Sequence, residues 1–171
     1  MELFTYNGFL FLVRWAHFLA GITWIGLLYY FNFVQGPFLA EVTEASTRKD
    51  VTTKLLPRAL WWFRWGAMFT VIMGLILYFD HWGQVGTAGF FHSSPGISIT
   101  VGGILGLIMW YNVWFIIWPN QRKIIAAAEQ GKGPTELGGK PRAAFLASRT
   151  NTMLSIPMLF FMGAYSHIIW G

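Results

Sequence analysis

Residues 9–33 read FLFLVRWAHFLAGITWIGLLYYFNF, a run long enough and apolar enough to cross a bilayer as one helix. Such a helix needs about 20 consecutive, mostly apolar residues. Three further runs of this kind follow, at 60–79, 97–118 and 153–170. The chain is 55% hydrophobic and 11% charged, whereas a soluble domain is usually about 25% charged. We therefore predict an all-α membrane protein with a single domain, a four-transmembrane-helix bundle.

The basic residues fall into two of the three connections between these runs. Connection 35–59 holds four Lys or Arg residues and connection 119–152 holds six, whereas 80–96 holds none. Because cytoplasmic loops are enriched in Lys and Arg, the two basic, helix-forming connections are predicted to face the cytoplasm. Both termini and the 80–96 loop then face the periplasm of a bacterial inner membrane, and Arg64 is expected to extend to the cytoplasmic surface. This topology explains the net charge of +5 without a nucleic-acid partner.

The composition excludes several kinds of site. The chain has no cysteine, which excludes disulfides, thiolate metal sites and a c-type haem attached through Cys-x-x-Cys-His. Haem b, which is held by side chains such as His, stays compatible with the sequence. No phosphate-binding glycine motif, nucleophile elbow or zinc-helix motif occurs, and no catalytic residue is identified. A cleaved signal peptide is not expected, because Glu2 stands in place of a basic start and Arg14 interrupts the apolar run.

Two histidines lie where the predicted helices can bring them together. His17 is in the first span and His167 in the fourth, and both spans place them towards the periplasmic side. Gly21 lies one turn after His17, and Gly163 lies one turn before His167. Small residues there leave room for a flat macrocycle, and imidazoles from facing helices commonly hold haem iron. We therefore predict a haem b between the two histidines, with Arg14 as the partner of a haem propionate.

The same residues allow a plainer interpretation. Small residues are frequent at contacts between membrane helices that hold no cofactor. A buried histidine often bonds a neighbouring carbonyl, and Arg14 can extend its side chain towards the membrane surface. The chain would then be a non-catalytic structural or assembly subunit of a larger membrane complex, and this alternative stays open.

A second group of candidate ligands lies in and beside the 80–96 loop. Asp80, His81 and His92 are residue types that bind Cu²⁺ or Zn²⁺. Their spacing is loose, and the stretch between them is rich in glycine, which is typical of a solvated loop. The sequence therefore favours a solvated loop over a metal site at these residues.

Four stretches together resemble the membrane domain of the bacterial cytochrome c-linked urate oxidase family, also called urate hydroxylase. They follow the family's order and cover most of the chain: RWAHFLAGITWIG at 14–26, LWWFRWGAMFTVIMG at 60–74, IMWYNVWFIIWPNQRKIIAA at 108–127 and TNTMLSIPMLFFMGAYSH at 150–167. WPNQRK is the most specific piece. The resemblance implies a membrane redox protein that works with a cytochrome c.

The chain also departs from that family's pattern. Full-length members carry more helices and a C-terminal cytochrome c domain, so this chain is expected to be a trimmed, four-helix relative. Members have a histidine near the start of the last helix, whereas Thr150 stands near that place here, so the resemblance alone does not imply urate chemistry for this chain. The positions that do carry over are His17, Asn112, Asn120, Gln121, Arg122 and His167.

The first helix is also loosely similar to that of a four-helix haem-b family that oxidises protoporphyrinogen, which likewise places a histidine after an aromatic-rich start. The expected function is therefore electron transfer by a haem-b protein embedded in the lipid bilayer of the inner membrane. Its expected partners are a periplasmic cytochrome c or a larger membrane complex. Two copies can also form a homo-oligomer that shares a haem between chains.

Overall fold

The computed structural model describes residues 4–132 and 134–165. This part of the chain is helical and contains no β-strand, which confirms the predicted all-α class. The α-helices are α1 (Tyr6–Tyr29), α2 (Gly36–Glu41), α3 (Ala45–Asp50), α4 (Leu56–Phe91), α5 (Ser94–Tyr111), α6 (Trp118–Glu129) and α7 (Lys140–Ala164). Three π-helical turns join successive helices without a break: Tyr30–Gln35, Val51–Leu55 and Asn112–Ile117. A short 3₁₀ turn, Pro134–Leu137, precedes α7.

Three continuous rods result, and each is long and apolar enough to cross a membrane. They are Tyr6–Glu41, Ala45–Phe91 and Ser94–Glu129, with mean hydropathy of 1.5, 1.5 and 1.7 in their most apolar windows. The chain is therefore a membrane protein. Within the described residues α7 does not join this set, and the predicted fourth span, 153–170, extends beyond the described part of the chain. The four-span bundle and the periplasmic termini stay predictions.

Each π-helical turn ends next to a proline. Pro37, Pro57 and Pro119 are each the second residue after such a turn. A proline inside a helix has no N–H to donate, and its ring clashes with the carbonyl four residues earlier. A wider turn immediately before the proline relieves that clash. The rods therefore continue past each proline instead of ending there.

The long helices pack mainly as two antiparallel pairs, α1 with α4 and α5 with α7. At Gly66 on α4, a β-carbon would lie 3.3 Å from the carbonyl oxygen of Ala20 and 3.3 Å from the backbone nitrogen of Trp24. At Gly102 on α5, it would lie 3.3 Å from the side chain of Met162. Small residues thus let the helices approach closely, as is common in membrane proteins. The shared core lies between the pairs and includes Trp24, Leu28, Phe63, Met109, Val113 and Ile117.

The predicted 80–96 loop is exposed over most of its length but helical. α4 continues to Phe91, with one interruption at Gly86, whose φ of 72° lies in the left-handed region that favours glycine. α5 begins almost at once, because the hydroxyl of Ser93 accepts a hydrogen bond from the N–H of Gly96. Glycines weaken a helix without necessarily ending it, and this glycine-rich, solvated stretch is therefore largely helical.

Arg48 closes the end of α2. It donates from Nε to the carbonyl oxygen of Val42 and from an η-nitrogen to that of Leu39, each at 2.8 Å. Carbonyls at a helix end have no partner within the helix.

We expect Arg48→Ala to lower the free energy of unfolding in detergent by about 1 kcal/mol, and Lys49→Ala to leave it unchanged. Equal losses in thermal unfolding would show that charge, and not hydrogen bonding, stabilises this connection.

Candidate functional site

His17 is fixed between α1 and α4 by a hydrogen bond from its ring. Nδ1 lies 2.8 Å from the carbonyl oxygen of Thr70. Because a carbonyl can only accept, Nδ1 carries the proton, and the neutral ring has its lone pair on Nε2. Within the described residues Nε2 has no hydrogen-bond partner. His17 therefore offers one free ligand atom from a ring held in a fixed orientation.

Gly74 makes room for this imidazole. A β-carbon at Gly74 would lie 3.0 Å from Cε1 of His17 and 3.3 Å from its Nδ1, so a larger residue fits only if the ring moves. Thr70 and Gly74 lie one turn apart on the same face of α4. Neither is a predicted site residue, although a hydroxyl residue and a glycine four positions apart in a bulky span were visible in the sequence.

Gly21, the predicted slot beside His17, faces Thr70 on α4. A β-carbon at Gly21 would lie 3.8 Å from Cγ2 of Thr70, an ordinary packing distance. Gly21 therefore serves the contact between the two helices. Arg14 is exposed, and the part of the chain that the structure describes gives it no ion-pair partner. An arginine this far into an apolar helix is costly unless it reaches the membrane surface or a partner.

The second predicted iron ligand, His167, lies outside the described residues. Gly163, one turn before it, is exposed, and a β-carbon there would meet nothing within 4 Å. Earlier on α7, the helix contacts α1 directly, since the hydroxyl of Tyr29 and Oγ of Ser155 lie 2.9 Å apart. α1 and α7 are therefore neighbours in the bundle.

Asp80, His81 and His92 have separate surroundings. Asp80 accepts a hydrogen bond from the hydroxyl of Tyr6, and the ring of His81 packs against two aromatic rings. Nδ1 of His92 lies 2.9 Å from the carbonyl oxygen of Ala88 on its own helix. Across residues 4–132 and 134–165, no group of three or more His, Asp or Glu side chains could hold a metal ion. The structure does not bring these three residues together as a ligand set.

A polar face of α7 contacts the other helices and is not among the predicted site residues. Asn151 is 0% exposed. Its amide nitrogen donates to the carbonyl oxygen of Met109 at 2.9 Å, and its amide oxygen accepts from Nδ2 of Asn112 at 2.8 Å. Nδ2 of Asn32 donates to Oγ of Ser148 at 2.8 Å. Hydrogen bonds of this kind hold membrane helices together, and the polar run in α7 was their signal in the sequence.

The guanidinium of Arg64 lies against three tryptophan rings, whereas the sequence predicts a side chain that extends to the cytoplasmic surface. Its guanidinium carbon lies 4.0 Å from the centroid of the Trp118 ring, 5.0 Å from that of Trp114 and 5.5 Å from that of Trp65. Nε of Arg64 is buried and has no hydrogen-bond partner in the described chain. The guanidinium of Arg122 also lies near the Trp118 ring, at 6.0 Å.

Asn120 and Gln121 also belong to the WPNQRK motif. Asn120 has a local structural role, and the structure reveals none for Gln121. Nδ2 of Asn120 donates to the carbonyl oxygen of Ile116 at 2.8 Å, one turn earlier. This bond supports the helix beside Pro119, which has no N–H of its own. Gln121 is half-buried.

Residues 83–168, half of the chain, match the family described as urate oxidase N-terminal. The chain belongs to this family. The match includes the stretches at 108–127 and 150–167 that carry the resemblance, and it does not extend to those at 14–26 and 60–74. No curated protein and no solved structure matches the chain.

Membership of the urate oxidase N-terminal family confirms the first resemblance at the level of the family. The looser similarity to the haem family that oxidises protoporphyrinogen stays a prediction. The matched segment contains the Asn112–Asn151 pair and Arg122, whereas His17 and Thr70 precede it.

Proposed function

We propose that this member of the urate oxidase N-terminal family is an electron-transfer protein of the bacterial inner membrane that binds haem b through His17. The observation that carries the proposal is the hydrogen bond between Nδ1 of His17 and the carbonyl oxygen of Thr70, 2.8 Å long. Histidines that bind metals almost always donate their other ring N–H in this way, which fixes the tautomer and the ring orientation.

The residues present would hold haem b through one histidine, His17. Nε2 of His17 has the free lone pair, and the ring occupies the space beside Gly74, where a β-carbon would lie 3.0 Å from its Cε1. His17 is half-buried, so a ligand can reach it from the surface of the α1–α4 pair. When bound, haem b supplies a one-electron redox couple. His17 then holds the iron, and Thr70 keeps the ring oriented.

We propose that His167 would be the second histidine that holds the haem, and the spacing along the chain supports this pairing. His17 lies twelve residues before Tyr29, and His167 lies twelve residues after Ser155. Tyr29 and Ser155 are hydrogen bonded to each other between α1 and α7. Arg14, three residues before His17, is the proposed partner of a haem propionate, because a guanidinium binds a carboxylate with two parallel hydrogen bonds.

The proposal includes the four-span topology with both termini in the periplasm. It is supported by the contrast between the basic connections and residues 80–96, which hold no Lys or Arg. His17 then lies in the periplasmic half of the bilayer. Since the sequence has no cysteine for a c-type haem, the proposed electron acceptor is a separate periplasmic cytochrome c.

The absorption spectrum of detergent-purified protein, oxidised and then reduced, tests this function. With full haem supply during expression, we expect a b-type spectrum with two histidine ligands, lost in His17→Ala. His92→Ala is the control, because its ring bonds only a carbonyl of its own helix, and it should retain the spectrum. Colourless wild-type protein would contradict the proposal and favour a structural subunit. An unchanged spectrum in His17→Ala would contradict the proposed role of His17 as a haem ligand.

A further inference from the structure

Two guanidinium groups approach one indole ring at the end of the bundle that carries the basic connections. The guanidinium carbons of Arg64 and Arg122 lie 4.0 Å and 6.0 Å from the centroid of the Trp118 ring. Like charges repel, so this arrangement is unfavourable without a counter-charge. Among the described residues neither arginine has a carboxylate within ion-pairing distance. The ion pair that the described chain contains joins Lys54 and Asp50.

The aromatic rings hold Arg64 in place and leave part of it accessible. Trp65, Trp114 and Trp118 contact its guanidinium, which fixes a side chain that is otherwise rich in rotamers. Its Nε is buried without a partner, whereas its terminal nitrogens are not among the buried unpartnered atoms. Nε1 of Trp114, whose ring lies against the guanidinium, is also buried without an acceptor among the described residues. The site therefore presents preorganised donors and no acceptor.

The surface beside this site suits a membrane lipid. A shallow hollow of about 390 Å³ is lined by Pro57, Arg58, Trp61 and Trp62. The Trp61 ring packs on that of Trp65, 6.5 Å between centroids, and Trp65 in turn contacts Arg64. A continuous aromatic surface thus leads from the hollow to the arginine. Exposed tryptophans are typical of the level at which headgroups meet acyl chains.

We propose that Arg64 and Arg122 bind the phosphate of an anionic phospholipid, whose glycerol and upper acyl chains lie along the hollow at Trp61 and Trp62. A guanidinium offers a fork of N–H donors that matches phosphate oxygens. Basic pockets between membrane helices on the cytoplasmic side are known to take anionic headgroups. The bound phosphate supplies the counter-charge that the described chain lacks, and it anchors α4 to α6 at one leaflet.

Lipid titration of the full chain, followed by native mass spectrometry, tests this site. We expect wild-type protein to bind phosphatidylglycerol about tenfold more tightly than phosphatidylcholine with the same acyl chains. Arg64→Gln combined with Arg122→Gln should remove most of that preference and leave phosphatidylcholine binding unchanged. The matched control combines Arg142→Gln with Arg149→Gln, which removes the same charge from exposed residues. This control should keep the wild-type preference.

Three results would overturn the proposal. The first is equal binding of both lipids by wild-type protein. The second is a control variant that loses as much preference as the Arg64–Arg122 variant, because this loss would indicate a diffuse charge effect. Complete displacement of phosphatidylglycerol by inorganic phosphate would indicate a site for a soluble anion. If the double variant does not fold, Arg122→Gln alone decides, since this side chain is exposed. It should weaken phosphatidylglycerol binding about fivefold, and an unchanged affinity would contradict the proposal.

Discussion

Replacing Gly74 with valine is expected to push the His17 ring off Thr70 and to abolish haem binding. The β-carbon alone would lie 3.0 Å from Cε1 and 3.3 Å from Nδ1 of His17, and valine adds two methyl groups beyond it. Forcing extra carbon atoms into a packed contact typically costs about 1–3 kcal/mol, and the lost hydrogen bond adds about 1 kcal/mol. The free energy of unfolding in detergent should therefore fall by about 2–4 kcal/mol.

Gly26→Val is the matched control for this substitution. Gly26 is exposed, and a β-carbon there would meet nothing within 4 Å. Denaturant unfolding should give a near wild-type free energy for the control, and its haem absorbance should be retained. If Gly74→Val unfolds like wild type and keeps its spectrum, the proposed role of the Gly74 face in holding His17 is wrong.

Asn151→Leu is expected to lower the free energy of unfolding by about 2–3 kcal/mol. The amide of Asn151 is fully buried and makes two hydrogen bonds, to Met109 and from Asn112. Leucine has nearly the same size but neither donor nor acceptor. The Asn112 amide would then lose its acceptor in an apolar interior, where an unpaired polar group is costly.

Thr150→Leu provides the comparison, because Thr150 is the neighbouring residue on α7 and is exposed. It should leave stability within about 0.5 kcal/mol of wild type. A double-mutant cycle with Asn112→Leu isolates the pair, and we expect a coupling energy of about 0.5–1.5 kcal/mol. Additive effects of the two single substitutions would show that the bond between Asn112 and Asn151 does not contribute.

The helical rods follow from features that a sequence displays directly. Residues 9–33 and 97–118 are apolar over the length of a membrane crossing, and both lie within rods that can span one. The continuation of α4 to Phe91 was not predictable from the glycines there, because their effect depends on whether a single residue such as Gly86 can absorb the distortion. The cap at Ser93, four residues before Ile97, has a local signature and could have been recognised.

The candidate site was predictable in part. An ionisable residue inside an apolar run marks itself, and His17 stands out for that reason. Its partner on Thr70 is a backbone oxygen, which every residue has, so no sequence pattern points to it. Helical periodicity shows that Gly21 shares a face with His17 but not which neighbour that face meets. The room for the imidazole comes from Gly74 on another helix, and only tertiary structure could reveal it.

The π-helical turn at Asn112–Ile117 separates two rotational phases along one rod. It acts as a one-residue insertion in an α-helix, and one residue corresponds to about 100° of rotation. Before the insertion, Met109 faces α7, and after it Trp118 and Arg122 face Arg64 on α4. Deleting a single residue from this turn would leave the contacts of α5 intact. It would rotate α6 about the rod axis by more than a quarter of a revolution. The turn thereby sets the direction in which Trp118 and Arg122 point relative to the part of the rod that precedes it.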